Sequence, residues 1–196
     1  MDSDPAPFFA NLFLYFYESK WLKELKRVDL GKARKFGNTF RFIDDLAAIN
    51  DGGVFKSSFR DIYPPELELK QENIGSVSAT FLDLDLSITD RKFNIKLFDK
   101  RDSFPFAIVR MPFILSNMPS IIFYSSIGAE ILRISRASNN TDHFISTSKV
   151  LLNRMTSQGA KQQRIVRVLK KIYGRHSIHF ALIAPNATTF LRKLLH

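Results

Sequence analysis

The sequence predicts an α+β fold, with a helix and antiparallel strands in residues 1–111 and helices in residues 112–196. Three patterns lead to this prediction. Apolar residues recur at helical spacing over residues 5–30, alternate with polar residues in segments between 39 and 97, and return to helical spacing from about Met118 onward. Strands and helices that occupy separate blocks of a sequence are typical of α+β proteins.

The first helix is predicted over residues 5–30. Asp4 suits the N-cap, and Pro5 suits the first helical position because its N–H is not needed there. The apolar positions that follow at helical spacing include Phe9, Leu12, Phe13, Phe16 and Tyr17. Because apolar side chains nearly encircle this helix, we expect it to be buried.

Strands are predicted in three segments. The run TFRFIDDLAAI, which begins at Thr39, contains two short β segments that meet at Asp44 and Asp45, so both acids are expected at the tip of a hairpin. ELELKQEN, residues 66–73, alternates leucine with charged residues and predicts a half-buried strand. The clearest hairpin is TFLDLDLSITDRKFNIKLFDK, with its turn at residues 89–92.

The net charge of +10 comes from the last part of the chain. Residues 1–111 carry 17 basic and 17 acidic residues, whereas residues 112–196 carry 12 basic and only 2 acidic ones. An excess of this kind is typical of proteins that bind polyanions, and a solvated basic face is the alternative.

Three helices are predicted in the basic region, near residues 119–136, 142–157 and 161–173. On the third helix, basic residues recur every three to four positions, opposite an apolar face. We expect these residues to contact nucleic-acid backbone phosphates: Arg164, Arg167, Lys170 and Lys171.

The composition excludes several classes of protein. Without cysteine, the chain has no disulfide framework and no cysteine-based zinc site, which fits a reducing compartment. The apolar run from Phe8 follows two aspartates instead of a basic segment, unlike a signal peptide. Pro119, Glu130 and Arg133 interrupt the other apolar stretch, which therefore does not suit a membrane span. We expect a soluble intracellular protein, nuclear or cytoplasmic, without a membrane partner.

Two adjacent aspartates at a hairpin tip suggest a metal site. Mg²⁺ prefers a few carboxylates together with substrate phosphates to a cage made only of protein ligands. Asp44 and Asp45 would offer such carboxylates. The alternative is ordinary turn chemistry, for which aspartate is a common residue. A metal-dependent phosphodiesterase fits less well, because no histidine or further acid accompanies the pair in the sequence.

The segment FIDD, residues 42–45, resembles the aromatic-x-Asp-Asp signature of reverse transcriptases, with Phe42 in place of the more familiar tyrosine. Upstream, SDPAPFFANLFLYFYE resembles the Ser-Pro-x-x-Ala-Asn-Leu segment of these enzymes, in the same order and at a similar separation. Downstream, LELKQEN and the 80–106 region look like the later palm strands and primer-contacting hairpin of mobile-element enzymes such as the Penelope-like group. The resemblance implies a partial reverse-transcriptase palm over residues 1–111, followed by a basic, helical, thumb-like region over 112–196.

The resemblance also implies roles for individual residues. Asp44 would be the main metal-ligating carboxylate of a two-metal site, and Asp45 a secondary ligand or structural acid. Phe42 would pack near the primer end. Lys70 lies near the position of a lysine that donates a proton to pyrophosphate, and a solvent lysine is the alternative. The residues that would border the incoming nucleotide and the template are Ala6, Pro7, Phe8 and Asn11.

The implied function is RNA-directed DNA synthesis with Mg²⁺ as cofactor, and the implied partners are an RNA template, a DNA primer and a nucleoside triphosphate. Polymerase palms use a third carboxylate, on a strand that precedes the helix of Pro5 and Pro7, and they also need fingers. Residues 1–196 begin at that helix and include neither this strand nor the fingers, so we expect them to be inactive alone. The second hypothesis is a non-enzymatic nucleic-acid-binding protein that uses residues 112–196, in which Asp44 and Asp45 are relics.

Overall fold

The computed structural model describes residues 5–73, 77–100, 104–106, 111 and 113–195. These residues form a mixed α+β structure of helices and two small antiparallel sheets, as predicted. The contacts between residues divide the chain into two compact units, Met1–Ile74 and Gly75–His196. A functional boundary between residues 111 and 112 stays a prediction.

The first unit consists of helices and one hairpin. Its elements are α1 (Ala6–Val28), α2 (Leu30–Phe36), β1 (Thr39–Phe42), β2 (Asp45–Ala48) and α3 (Val54–Ile62). Pro5 is the N-cap of α1, one residue before the first helical position that was predicted for it. Asp4, the predicted N-cap, lies outside the described residues. Asp29 separates α1 from α2, and its carboxylate accepts a hydrogen bond of 2.8 Å from the N–H of Lys32. Asp51 accepts hydrogen bonds from two N–H groups at the start of α3.

An aromatic cluster forms the core of the first unit. Its buried residues, all on α3 or just after it, are Phe55, Phe59, Ile62 and Tyr63. Tyr17 and Trp21 of α1 and Phe36 of α2 pack against this cluster. Because this cluster is small, each helix of the unit buries only the face that contacts it.

The prediction that the first helix is buried is wrong. No residue of α1 is buried, and the large apolar side chains of its first half are between 47% and 66% exposed: Phe8, Phe9, Leu12, Phe13, Tyr15 and Phe16. Only the side of α1 that carries Leu14, Tyr17 and Trp21 reaches the aromatic cluster. An apolar helix is buried on all sides only when neighbours cover all sides, which the sequence of the helix does not report.

Residues 66–73 do not form the predicted half-buried strand. No strand in the described part of the chain pairs with this segment. Leu67 packs against the aromatic cluster, while Leu69 is 42% exposed. Alternating residues form a strand only where a neighbouring strand supplies hydrogen-bonding partners, and no strand within the described ranges does so for this segment.

The second unit begins with a three-stranded antiparallel meander, in the order β3 (Ser78–Phe81), β4 (Leu84–Thr89) and β5 (Lys92–Leu97). The predicted hairpin is confirmed as β4 and β5. Its turn contains Asp90 (φ 51°) and Arg91 (φ 61°), both with the positive φ of a type I′ turn. The pattern did not predict that Leu82 and Asp83 form another two-residue turn, which divides the alternating run into two strands.

The remainder of the second unit is helical. Its helices are α4 (Ser120–Arg136), α5 (Thr141–Ser157), α6 (Gln162–Arg175), α7 (Ser177–Ala181) and α8 (Ala187–Leu195). The three predicted helices are confirmed to within two residues at each end, whereas α7 and α8 were not predicted. The fully buried side chains of their shared core include Phe123, Ile127, Ile131, Phe144, Met155, Leu169, Phe180 and Phe190. None of the helices in the described residues is long and apolar enough to cross a membrane.

Polar contacts join the meander to the helices. Arg133 on α4 donates a hydrogen bond of 2.8 Å to Asp83 in the β3–β4 turn. Asn139 lies between α4 and α5, and its side-chain amide bonds to the backbone of β5. It donates to the carbonyl of Phe93 (2.6 Å) and accepts from the N–H of Ile95 (2.9 Å). These bonds occupy the outer edge of β5 and hold the sheet on the helical core.

Arg91→Gly should stabilise the second unit. An L-residue with positive φ is strained, and glycine relieves that strain although it loses more chain entropy on folding. We expect the free energy of unfolding to rise by about 0.5–1 kcal/mol, measured by chemical denaturation followed by circular dichroism. Arg91→Ala is the control, because it removes the same exposed side chain and keeps the strain. An equal gain in both variants would contradict this explanation.

Candidate functional site

Asp44 and Asp45 lie at the tip of the β1–β2 hairpin, as predicted. Phe42 pairs with Asp45, so Ile43 and Asp44 form the two-residue turn. Both aspartates are exposed, and neither carboxylate forms a hydrogen bond or ion pair with another described residue. The turn therefore lifts both carboxylates out of the apolar run that surrounds them in the sequence and spares them the cost of desolvation.

Arg41 holds this hairpin against α1. Its Nε and Nη2 donate to the two carboxylate oxygens of Glu18, at 2.7 and 3.2 Å. Its Nη1 donates to the Oδ1 of Asn11 at 2.8 Å and more weakly to the carbonyl of Ile43 at 3.4 Å. The side chains of Arg41 and Glu18 are only 14% and 19% exposed. One guanidinium thus fixes the turn beside the first half of α1.

Tyr63 completes this network from the end of α3. Its hydroxyl donates a short hydrogen bond to the carboxylate of Glu18. Burial, together with the hydrogen bond to this carboxylate, raises the pKa of Tyr63 well above its usual value. Glu18 therefore joins α1, the hairpin and α3. Because it also neutralises Arg41, that guanidinium does not serve as the counter-ion of the acids at the tip.

The sequence-predicted site residues fall into different settings. Asn11 is brought to the hairpin through Arg41. Ala6, Pro7 and Phe8 form the exposed first turn of α1. Phe42 is 53% exposed, on the face of the hairpin opposite Arg41.

Lys70 lies in the irregular segment after α3 and does not occupy a strand. Its Nζ is 3.5 Å from an oxygen of Glu72, and both side chains are more than 80% exposed, at 85% and 83%. This is the setting of a solvent lysine, which is the alternative that the sequence left open.

The donor set at the hairpin tip fits part of a magnesium site. Two exposed carboxylates can bind a hard divalent cation whose other ligands are water and phosphate oxygens. In the parts of the chain that the structure describes, no cluster of three or more histidines, cysteines, aspartates or glutamates is present. Asp44 and Asp45 would therefore supply two ligands, and the remainder would come from solvent, substrate or another segment.

The second candidate surface is the basic side of α6. The prediction that this helix is amphipathic is confirmed, since Ile165 and Leu169 are buried and the four predicted basic residues are exposed. Arg164 is held in place: its Nη1 donates to the Oγ of Ser120 at 3.0 Å, and its guanidinium lies 5.3 Å from the ring centroid of Tyr124. The result is a set of exposed cations on a helix whose opposite face is buried.

Sequence reasoning missed Arg41 and Glu18. A signal for both was present, because Glu18 is the first charged residue after the uncharged run 5–17 of α1, and Arg41 stands between Phe40 and Phe42 in a strand. Isolated charges of opposite sign within apolar segments often form an ion pair in the folded protein, since burying an unpaired charge costs free energy.

Arg41→Gln should destabilise the first unit by about 2 kcal/mol, because it leaves the half-buried carboxylate of Glu18 without its bidentate partner. Arg27→Gln is the matched control. It removes a 3.3 Å ion pair with Glu24 whose side chains are 76% and 65% exposed, and it should cost less than about 0.5 kcal/mol. Trp21, the single tryptophan, packs in this unit and provides the fluorescence signal for denaturant titration. Equal effects of the two substitutions would show that the Arg41 network does not hold the unit together.

Comparison with family models, with curated proteins and with solved structures gave no match to this chain. A functional proposal must therefore be argued from the residues themselves: the contacts between α1 and the hairpin that carries Asp44 and Asp45, and the basic surface of α6.

Proposed function

We propose that this chain is part of the reverse transcriptase of a eukaryotic mobile element, in which residues 1–111 supply part of the palm and the basic helices of residues 112–196 contact the template and primer. The observation that carries the proposal is the contact between the two segments that resemble this family. Arg41 bonds to Asn11 in the first segment and to Ile43 beside the paired acids in the second. The two resemblances were independent in sequence, and this contact supports treating them as one site.

In the proposed reaction, the 3′-hydroxyl of a primer attacks the α-phosphate of an incoming nucleotide. When bound, Mg²⁺ would neutralise developing charge and orient the phosphate oxygens. Asp44 and Asp45 would hold the cation, since both are exposed, one in the turn and the other at the first residue of β2. Phe42, directly across the hairpin from Asp45, would pack near the primer end. Arg41 and Glu18 position the turn and take no part in the chemistry.

The carboxylate pair can be tested without catalysis. We expect the chain to bind Mn²⁺, as a spectroscopic substitute for Mg²⁺, with a dissociation constant of about 0.1–1 mM, since only two protein ligands are involved. Water proton relaxation or electron paramagnetic resonance would measure the binding. Asp44→Asn with Asp45→Asn should abolish it.

Asp90→Asn is the matched control for this experiment, because Asp90 is also an exposed aspartate in a two-residue hairpin turn but has no acidic neighbour. Binding that survives the Asp44 and Asp45 substitutions would remove the metal site from the proposal. We also expect residues 1–196 alone not to extend a primed RNA template, because the resemblance assigns the third carboxylate and the fingers to other segments. Extension that disappears in Asp44→Ala would identify the site and refute this expectation.

A non-enzymatic nucleic-acid-binding protein is the second candidate function. The observation in its favour is the excess of basic over acidic residues in residues 112–196. Of the 2 acids in residues 112–196, Glu130 is paired with Arg133, with 2.8 Å between Oε1 and Nη2, so its charge does not oppose the basic face of α6. This face needs no metal and no partner carboxylate, and would follow a phosphate backbone with little sequence preference.

Nucleic-acid binding by α6 should be strongly salt-dependent. If about four to six phosphates are neutralised, the logarithm of the affinity should fall with the logarithm of salt concentration at a slope of roughly −4 to −5. Replacing Arg164, Arg167, Lys170 and Lys171 by Gln should flatten that slope by about 3–4. Fluorescence anisotropy with labelled RNA and DNA at several salt concentrations would measure it.

The matched control removes the same number of cations from the first unit, by replacing Lys20, Lys23, Lys26 and Arg27 on α1 with Gln. This variant has the same net charge as the α6 variant and should keep the original slope. If both variants lose affinity equally, binding follows net charge and α6 is not the interface. If the unaltered chain binds no nucleic acid at low salt, the second candidate function fails.

A further inference from the structure

A groove runs between α4 and α6 in the second unit, with a volume of about 340 Å³. Its lining is mainly aliphatic. The aliphatic side chains are those of Ile121, Ala129 and Leu132 of α4 and of Val168 and Ile172 of α6. Ile121 is 72% exposed at one end of the groove. Of the four basic residues of α6 predicted to contact phosphates, only Lys171 lines this groove.

The two helices run side by side in the same direction. Arg164 contacts Ser120 at the start of α4, and a Cβ placed on Gly128 would lie 2.8 Å from the Cδ1 of Ile172. The groove lining follows α4 from Ile121 to Leu132, a distance of about 16 Å at 1.5 Å per residue. A groove of this length accommodates about three turns of another helix.

One rim of the groove is cationic. Lys171 and Arg175 of α6 line it, and they lie one helical turn apart, on the same side of the helix as Val168. Arg167 and Lys170 lie further around α6 and do not belong to the lining. No carboxylate is among the described residues that line the groove. An occupant that complements this surface has an apolar face with acidic residues along its edge.

We infer that the α4–α6 groove binds an amphipathic helix of a partner protein, with aliphatic side chains on one face and aspartate or glutamate beside them. Nucleic acid fits the groove less well. Bases bind on open aromatic faces, but the ring of Tyr124 is covered by Arg164 and its hydroxyl accepts a hydrogen bond from the N–H of Lys161. Phosphates, for their part, gain nothing from an aliphatic floor, whereas helices are often recognised in apolar grooves.

The probe is a synthetic helical peptide of about 18 residues, or five turns, with leucines at helical spacing on one face and glutamates on its flanks. A scrambled peptide of the same composition is the peptide control. Fluorescence anisotropy of the full chain should detect binding of the first peptide and at least about tenfold weaker binding of the second.

Ile121→Gln combined with Ala129→Gln should weaken peptide binding at least about tenfold, because it places polar groups in the aliphatic floor. Both positions are exposed, so the fold should persist, as circular dichroism would show. Val150→Gln is the matched control: it replaces an apolar residue of α5 that is 58% exposed and outside the groove. It should leave peptide affinity unchanged, and none of these substitutions should alter nucleic-acid affinity.

The contribution of the cationic rim is tested with two matched double variants. Lys171→Gln with Arg175→Gln should weaken peptide binding more than Arg167→Gln with Lys170→Gln, although each variant loses two charges from the same helix. Three results would overturn the inference: equal binding of the scrambled peptide, equal effects of the two charge variants, or loss of nucleic-acid affinity in the groove variant with no peptide binding. The last result would instead make the groove part of the nucleic-acid surface.

Discussion

The half-buried ion pair between Arg41 and Glu18 organises the first unit. Two charges that are largely removed from water are stable only if their hydrogen-bonding groups find partners. Here the guanidinium bonds to Glu18, Asn11 and the carbonyl of Ile43, and the carboxylate also accepts from Tyr63. The planar guanidinium has fixed donor directions, so these bonds define how α1, the hairpin and the end of α3 meet. The aromatic cluster buries apolar surface, whereas the ion pair fixes the orientation of these elements.

The same pair sets the electrostatics of the hairpin tip. Since Glu18 neutralises Arg41, the carboxylates of Asp44 and Asp45 are left without a protein counter-ion among the described residues. Two adjacent exposed carboxylates attract a divalent cation better than a monovalent one, and the cation in turn attracts phosphate. A structural ion pair thus leaves a second, exposed set of charges free for a ligand. This difference between the paired charges and the exposed carboxylates is the physical basis for proposing the hairpin tip as a metal site.

The second unit depends on packing between helices more than on any ion pair. Its core of phenylalanine, isoleucine and leucine side chains fixes α4 and α6 side by side, and Gly128 allows them to approach closely. Because α6 buries only its Ile165 and Leu169 side, its cations are divided between an outer row and the rim of the groove. One helix therefore carries an outer row of cations, which we propose for nucleic-acid binding, and the basic edge of an apolar groove, which we propose for a partner helix.

The sequence by itself determined the helices α4, α5 and α6, the β4–β5 hairpin and the place of Asp44 and Asp45 at a turn, because periodicity and turn residues act locally. Only the tertiary structure decided that α1 is exposed on one side, that residues 66–73 find no strand partner in the part of the chain that the structure describes, and that Arg41 contacts Glu18, 23 residues away in the sequence. Burial and pairing depend on which neighbours are present, and a local pattern carries no record of its neighbours.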